Sequence, residues 1–249
     1  GVSMSNNLSF FQDNIVQLTN KQKRKLKRVN TGLRLQEVEP MTKTQERVFN
    51  SYYSGKNIMC HGVAGTGKTF IALYLATQEV ISNYNDIRSL HIIRSVVPTR
   101  DMGFLPGNQR EKSKVYEAPY YSIFTELFQR GDAYEILKGR EQVHFTTTSF
   151  IRGLTINDAV VIVDECQNMT YHELDSIITR LGDNCKIVFC GDFRQSDFRF
   201  KDERDGVLEF MKVIKRMKSF DFIEFDKHDI VRSDLVKEYI ISKLDLGMS

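Results

Sequence analysis

No stretch of the chain approaches the roughly 20 consecutive apolar residues that a bilayer-spanning helix requires. The first residues also lack the charged start, apolar run and small-residue cleavage site of a secretory signal, so we expect none. The 4 cysteines form no CxxC pair, and no paired His/Cys spacing indicates a zinc site. We therefore expect buried thiols in a reducing compartment, a cytoplasmic location and no membrane partner.

Excess basic charge is absent from most of the chain and concentrated in one short segment. The net charge is +3, but residues 21–28 contain six basic side chains, and the remainder has 29 basic against 32 acidic residues, a net of −3. The six are Lys21, Lys23, Arg24, Lys25, Lys27 and Arg28. Such a segment could bind nucleic acid through its phosphates, and a solvated helix face or flexible tail is an equally good interpretation. We assign residues 1–38 to an N-terminal helical or flexible basic arm and residues 39–249 to a compact domain.

Apolar strand-like runs alternate with helical spacing from about residue 40 onward. The runs rich in Ile, Val and Phe are residues 57–61, 89–94, 143–147, 159–164, 186–191 and 222–225. Helical spacing occurs over residues 68–82, 120–137, 171–181 and 205–218. Strands that are apolar throughout are typical of a parallel sheet covered on both faces. The pattern predicts an α/β fold with three layers and a mostly parallel central sheet.

Residues 62–69 match G-x-x-x-x-G-K-[ST] between a strand and a helix, which is the context that this phosphate-binding motif requires. Glycines let successive backbone N–H groups point at phosphate oxygens, and the N-terminus of the following helix favours anions. In this motif Lys68 reaches the β- and γ-phosphates, and the Thr69 hydroxyl binds Mg²⁺. The predicted ATP-binding residues are Gly62, Val63, Ala64, Gly65, Thr66, Gly67, Lys68, Thr69 and Phe70.

Two carboxylates follow the apolar run 159–163. We expect Asp164 to hold Mg²⁺ through its water shell, and Glu165 to orient and deprotonate the attacking water. A base aimed at water favours hydrolysis over phosphoryl transfer to a small acceptor; an acidic helix N-cap is the alternative. After the next strand, Gln195 is a candidate sensor of the γ-phosphate and Asp192 a candidate support for the metal or water network, with an ordinary turn as the alternative.

Together these motifs resemble the PhoH-like family of phosphate-starvation-inducible ATPases, which bacteria and many bacteriophages carry and which are related to the motor core of superfamily 1 helicases. The resemblance implies a RecA-like P-loop NTPase fold and Mg²⁺-dependent ATP hydrolysis, coupled to the binding or unwinding of RNA or single-stranded DNA. The segments that carry it are 62–69, 103–107 (GFLPG), 149–153 (SFIRG), 163–168 (VDECQN), 191–197 (GDFRQSD) and 229–232 (DIVR).

Further residues are implied by this resemblance alone. Gln45 looks like the adenine-reading glutamine of helicase cores, since an amide can bond both N6 and N7 of adenine. Arg232 looks like an arginine that stabilises charge on the transferring phosphate. In a protein with one motor domain it would act across a subunit interface, which implies a ring or other homo-oligomer such as a hexamer. Arg152 looks like a second basic residue near the nucleotide or the interface. A surface glutamine and solvated arginines are the alternatives.

Two other functions stay open on the sequence. One is an ATP-dependent oligomeric nucleic-acid-binding module with little turnover, against which Glu165 argues, because a switch needs no positioned base. The other is a kinase using the same loop, for which no acceptor site is visible. Phe104, Tyr120 and Tyr121 could stack on bases, although such aromatics more often belong to a core or an interface.

Overall fold

One sheet of six parallel strands forms the centre of the domain in the computed structural model, which describes residues 32–82, 85–96, 109–194 and 205–248. The strands are β1 (Asn57–Gly62), β2 (Ser89–Arg94), β3 (Val143–Thr147), β4 (Ala159–Asp164), β5 (Cys185–Gly191) and β6 (Phe220–Phe225). They lie in the order β3-β2-β4-β5-β1-β6. Each strand predicted from the apolar runs is present, with β1 one residue longer at its end, and β5 and β6 starting one and two residues earlier.

Helices cover both faces of this sheet. They are α1 (Lys43–Tyr53), α2 (Lys68–Ser82), α3 (Gln109–Phe128), α4 (Ala133–Gly139), α5 (Tyr171–Thr179), α6 (Asp205–Ile214) and α7 (Asp234–Asp245). Alternate strand residues point to opposite faces, so Ile58 joins the core under α1 to α4, whereas Met59 joins the core under α5 and α6. The three-layer α/β fold with a parallel sheet is therefore confirmed.

The helix predictions need three corrections. The stretch 120–137 is not one helix, because α3 ends at Phe128 and Gln129 adopts a left-handed φ of 51° before α4 begins. The predicted helices 171–181 and 205–218 end earlier, at Thr179 and Ile214. Helices α1 and α7 were not predicted.

The boundary at residue 38 also needs correction. Leu33 is buried, and Leu35 and Val38 pack against the core beneath α2. The Gln36 backbone N–H donates to the Leu127 carbonyl at 2.8 Å, which attaches this stretch to α3. Residues 33–38 therefore belong to the compact domain. The basic segment 21–28 lies outside the described residues.

All four cysteines lie within the described part of the chain. Cys60, Cys166 and Cys190 are buried and Cys185 is half-buried, and all four carry free thiols. In the described parts of the chain, no helix has the length and apolar character needed to cross a membrane.

Candidate functional site

Three neighbouring strands bring the candidate residues to one edge of the sheet. The carboxyl ends of β4, β5 and β1 lie side by side, because the strands are parallel and adjacent. Asp164 ends β4, Asp192 follows β5, and the loop 62–69 follows β1. Clefts at the carboxyl ends of parallel strands are the usual ligand sites of open α/β sheets. The fold thus joins residues that are about a hundred positions apart in the sequence.

Glycines shape the loop between β1 and α2. Gly62 has a φ of 128°, and a Cβ there would collide with the backbone of Phe225 on β6. Gly67 has a φ of 81°, and its carbonyl accepts the Ile71 N–H at 2.9 Å, which starts α2. Side chains would strain both positions, so the motif glycines are required by the local backbone and its close neighbours.

Lys68 lies inside this loop with all of its hydrogen-bonding capacity in use. Its ammonium donates to the Val63 carbonyl at 2.6 Å and to Thr66 Oγ1 at 3.2 Å. It also forms an ion pair with Asp192 Oδ1 at 2.9 Å, in which the lysine side chain is 4% exposed and the aspartate 44%. A lysine has three N–H donors, so a phosphate can reach the ammonium by taking the place of one of these acceptors.

Thr69 and Asp164 meet at the start of α2. The Thr69 hydroxyl donates to Asp164 Oδ1 at 2.8 Å, and the backbone N–H of Glu165 donates to the same oxygen at 3.0 Å. Asp164 Oδ2 accepts a 2.6 Å hydrogen bond from the hydroxyl of Tyr120. The carboxylate is therefore held on both sides.

Glu165 occupies a conformation that side chains rarely adopt. Its φ is 54°, in the left-handed region, and strained positions of this kind cluster at functional sites. Gln167 Nε2 donates to Glu165 Oε2 at 2.7 Å, and Gln167 Oε1 accepts the Asp192 N–H at 3.2 Å. Burial raises the pKa of Glu165, and the charge of Asp164 adds to this, whereas the Gln167 hydrogen bond opposes it. A raised pKa makes the carboxylate a stronger base toward water.

Two side chains of the site were not assigned to it from the sequence. Gln167 is part of the quoted segment 163–168, but its bridge between Glu165 and the turn after β5 depends on the sheet. For Tyr120 the sequence left a stacking surface and a core aromatic as alternatives, and the core alternative is correct, because its ring is fully buried. Burial and the charge of Asp164 raise the pKa of Tyr120, so its hydroxyl remains a donor.

Gln45 lies beneath the loop on α1 and is 2% exposed. Its Nε2 donates to the Thr66 carbonyl at 3.0 Å, and its Oε1 accepts the Met41 N–H at 2.7 Å. The amide therefore supports the loop directly. Each of its two polar atoms retains one further hydrogen-bonding position, so adenine reading stays a prediction.

The first part of the Arg232 side chain lies beside the loop of its own chain. The Val231 N–H donates to the Gly65 carbonyl at 3.0 Å, and a Cβ on Gly65 would lie 3.0 Å from Arg232 Cγ. The predicted action of Arg232 on the phosphate across a subunit interface stays a prediction.

Of the remaining predicted residues, the structure describes Arg152 and Phe70. Arg152 is exposed in the segment that follows β3. Phe70 is half-buried and packs against the core. Gln195 and Phe104 lie outside the described residues, so their predicted roles stay predictions.

A parallel sheet with a Gly-rich loop after its first strand, a lysine in that loop and a Thr–Asp pair beside it defines the class of P-loop nucleoside triphosphatases. The family model for PhoH-like protein matches residues 37–243. The chain belongs to this family.

Curated relatives agree with this assignment. A PhoH-like protein from Synechocystis is 32% identical over 73% of this chain and 54% of its own length. Protein PhoH2 from Bacillus subtilis is 36% identical over 63% of this chain and 36% of its own, and protein PhoH from Escherichia coli is 31% identical over 72% and 50%. The chain spans about half the length, or less, of these relatives.

The solved structures that this chain resembles have low sequence identity to it and TM-scores below 0.5. The large terminase from a thermophilic bacteriophage, in complex with ATP-gamma-S, is 16% identical with a TM-score of 0.49, over 80% of this chain and 48% of its own. The UvsW helicase from bacteriophage T4 is 17% identical with a TM-score of 0.40, over 85% and 69%.

Proposed function

We propose that this chain hydrolyses ATP with Mg²⁺ at the site formed by the loop 62–69, Asp164 and Glu165. The observation that carries the proposal is the contact between the Thr69 hydroxyl and Asp164, with the strained and hydrogen-bonded Glu165 next to it. This contact supports a metal-binding pair and a base at the end of the phosphate loop. The arrangement fits the hydrolysis of a phosphoanhydride.

The residues present suit a magnesium ion that is shared with the nucleotide. Thr69 and Asp164 offer a hydroxyl and a carboxylate, the hard oxygen ligands that Mg²⁺ prefers. Among the described residues, no group of three or more His, Cys, Asp and Glu side chains could hold a metal. Thr69 and Asp164 would hold the ion directly or through its water shell, and phosphate oxygens and further water molecules would supply the remaining ligands. Mg²⁺, when bound, neutralises negative charge on the transferring phosphate.

Lys68 and Glu165 have different roles in the proposed hydrolysis. Lys68 neutralises the phosphate oxygens, once they replace Asp192 at its ammonium. Glu165 accepts a proton from water through the carboxylate that Gln167 orients. Because Gln167 also contacts the Asp192 N–H, this base and the turn after β5 are connected.

Two experiments separate this proposal from the alternative functions. A binding module would bind ATP and release phosphate at the rate of a buffer blank, whereas we expect steady release in Mg²⁺ and none in EDTA. A kinase would move labelled γ-phosphate onto one member of a panel of small molecules, and we expect all of the label in inorganic phosphate.

Neutralising Asp192 should strengthen nucleotide binding. In Asp192→Asn the ammonium of Lys68 loses its internal anionic partner, which the nucleotide must otherwise displace. A half-exposed ion pair contributes up to about 1 kcal/mol, so we expect a roughly twofold to fivefold lower Kd for ADP and ATP, measured by calorimetry.

A matched control for this prediction is Asp132→Asn, which removes an exposed carboxylate paired with Arg130 at 2.6 Å in the turn between α3 and α4. Its Kd should equal that of the wild type. Weaker binding by Asp192→Asn would contradict the displacement and assign the carboxylate a direct part in holding the nucleotide.

We also propose that ATP turnover is coupled to RNA or single-stranded DNA and, from the resemblance described above alone, that the active form is a homo-oligomer. The support is the family together with the basic segment 21–28, whose six cations could neutralise a phosphate backbone. We expect single-stranded RNA or DNA to stimulate phosphate release at low salt, with the effect decreasing steeply as salt rises. Neutralising the six residues to glutamine should remove the stimulation and leave the basal rate unchanged. No effect of either polymer at any salt concentration would contradict the coupling.

A further inference from the structure

Tyr120 and Asp164 form a buried polar contact between a helix and the end of a central strand. Tyr120 is fully buried in α3, and Asp164 is 7% exposed at the end of β4. The 2.6 Å separation of the hydroxyl from Asp164 Oδ2 lies in the range of short hydrogen bonds to a charged acceptor. Such bonds are about twice as strong as neutral ones, so this contact restricts how the carboxylate turns.

Helix α3 is held at this end of the sheet by a second polar contact. Arg94, the last residue of β2, lies opposite Asp164 in the strand register. Its Nη1 donates to the Tyr116 carbonyl at 3.1 Å, one turn before Tyr120. The Tyr120 ring also packs at 5.6 Å from the Phe145 ring of β3. The position of the Tyr120 hydroxyl is therefore set by the packing of α3 on three strands.

The two oxygens of Asp164 have different surroundings. Oδ1 faces Thr69, the second predicted magnesium ligand, whereas Oδ2 is occupied by Tyr120. The terminal torsion of an aspartate is broad, so the side chain itself does not fix how the plane of the carboxylate is turned. Thr69 and the Glu165 N–H hold one oxygen, and the Tyr120 hydroxyl holds the other, so the tyrosine contributes to fixing that torsion.

We propose that Tyr120 is a positioning residue for the metal site, which acts through Asp164 by holding Oδ2 and presenting Oδ1 toward Thr69 and the nucleotide-bound Mg²⁺. The inference rests on the proposed function. Hydrogen-bonding partners of metal ligands typically contribute about 10- to 100-fold to metal affinity. Removing the hydroxyl should therefore weaken the response to Mg²⁺ without weakening the contacts of the loop with phosphate.

The test is the binding of a slowly hydrolysed ATP analogue while Mg²⁺ is titrated. In Tyr120→Phe we expect the Mg²⁺ concentration at half-effect to rise about 10-fold or more. Affinity for the analogue in EDTA should stay within about twofold of the wild type, because Lys68 and the loop are unaffected. If the role of Tyr120 were purely structural, the substitution would weaken both the response to Mg²⁺ and the binding of the analogue in EDTA, or it would weaken neither.

Tyr134→Phe provides a matched control. The Tyr134 hydroxyl is also buried and also donates to a carboxylate, Glu117, at 2.7 Å, but that carboxylate is not part of the site. Its Mg²⁺ titration should match that of the wild type. An equal shift in both variants would overturn the inference, because the shift would then follow from the loss of any buried tyrosine hydroxyl that contacts a carboxylate.

A double-mutant comparison tests whether Tyr120 acts through Asp164. In an Asp164→Asn background, Tyr120→Phe should move the Mg²⁺ midpoint no further, and a full additional shift would overturn the inference. If folded Tyr120→Phe has the same Mg²⁺ midpoint as the wild type, the inference is overturned. The proposed function still stands in that case, provided that nucleotide binding by the wild type depends on Mg²⁺. A wild type whose nucleotide binding ignores Mg²⁺ would overturn both.

Discussion

Replacing Glu165 by glutamine should reduce steady-state ATP hydrolysis by about 10²- to 10⁴-fold, the contribution usually made by a general base. Glutamine has nearly the same shape but cannot accept a proton from water. In the proposed site the contacts that hold the nucleotide come from the loop and Lys68, so the Kd for ATP should stay close to that of the wild type. Glu165→Gln should consequently bind ATP and retain it unhydrolysed, which a phosphate-release assay beside calorimetry would detect.

A suitable control for this variant is Glu173→Gln on α5. Glu173 forms a capping box with Thr170, a role that glutamine also performs, and it lies outside the strand ends of the site. Its hydrolysis rate should be unchanged. Equal rates of phosphate release by Glu165→Gln and the wild type would contradict the assignment of the base.

Replacing Lys68 by alanine should weaken nucleotide binding and slow hydrolysis together. A hydrogen bond to a charged group contributes about 1.5–3 kcal/mol, so the Kd for ATP should rise roughly 10- to 100-fold. Removing a positive group from the transferring phosphate should further lower kcat by about 10²- to 10³-fold. Measuring Kd by calorimetry and kcat at saturating ATP separates these two effects.

The control for Lys68→Ala must also remove a largely buried lysine. Lys186 on β5 is such a residue, since its side chain is 15% exposed and pairs with Glu79 at 3.4 Å. Lys186→Ala should lower the unfolding temperature but leave kcat unchanged. If the two alanine variants lose activity in proportion to their loss of stability, Lys68 has no direct role at the phosphate.

The sequence predicted the sheet well because its strands are apolar on both faces. Runs such as 159–163 predict a strand without any knowledge of the neighbouring strands, because burial on both faces of the sheet leaves no polar position. Helix α7 was missed because none of its residues is fully buried, although Val236, Ile240 and Leu244 are half-buried and repeat at helical spacing. Helix α1 carries its buried side chains among polar ones, and its start depends on a Thr42 cap.

The site was predicted where chemistry follows directly from local spacing. Lys68 and Thr69 belong to one motif, and Glu165 follows Asp164, so the sequence alone places these pairs together. The partners of these residues were harder to predict. Tyr120 reaches Asp164 only through the packing of α3, and Asp192 reaches Lys68 only because β5 lies beside β1. Contacts of this kind depend on strand order, which no local pattern specifies.

Release of inorganic phosphate from ATP by the wild-type chain, measured under conditions in which binding is demonstrated in parallel, tests the central claim most directly. The geometry of Thr69, Asp164 and Glu165 predicts continuous release in Mg²⁺, its loss in EDTA, and a rate far above that of Glu165→Gln. Saturating binding of Mg²⁺ and ATP with no phosphate release above a buffer blank, with or without single-stranded RNA or DNA, would contradict it.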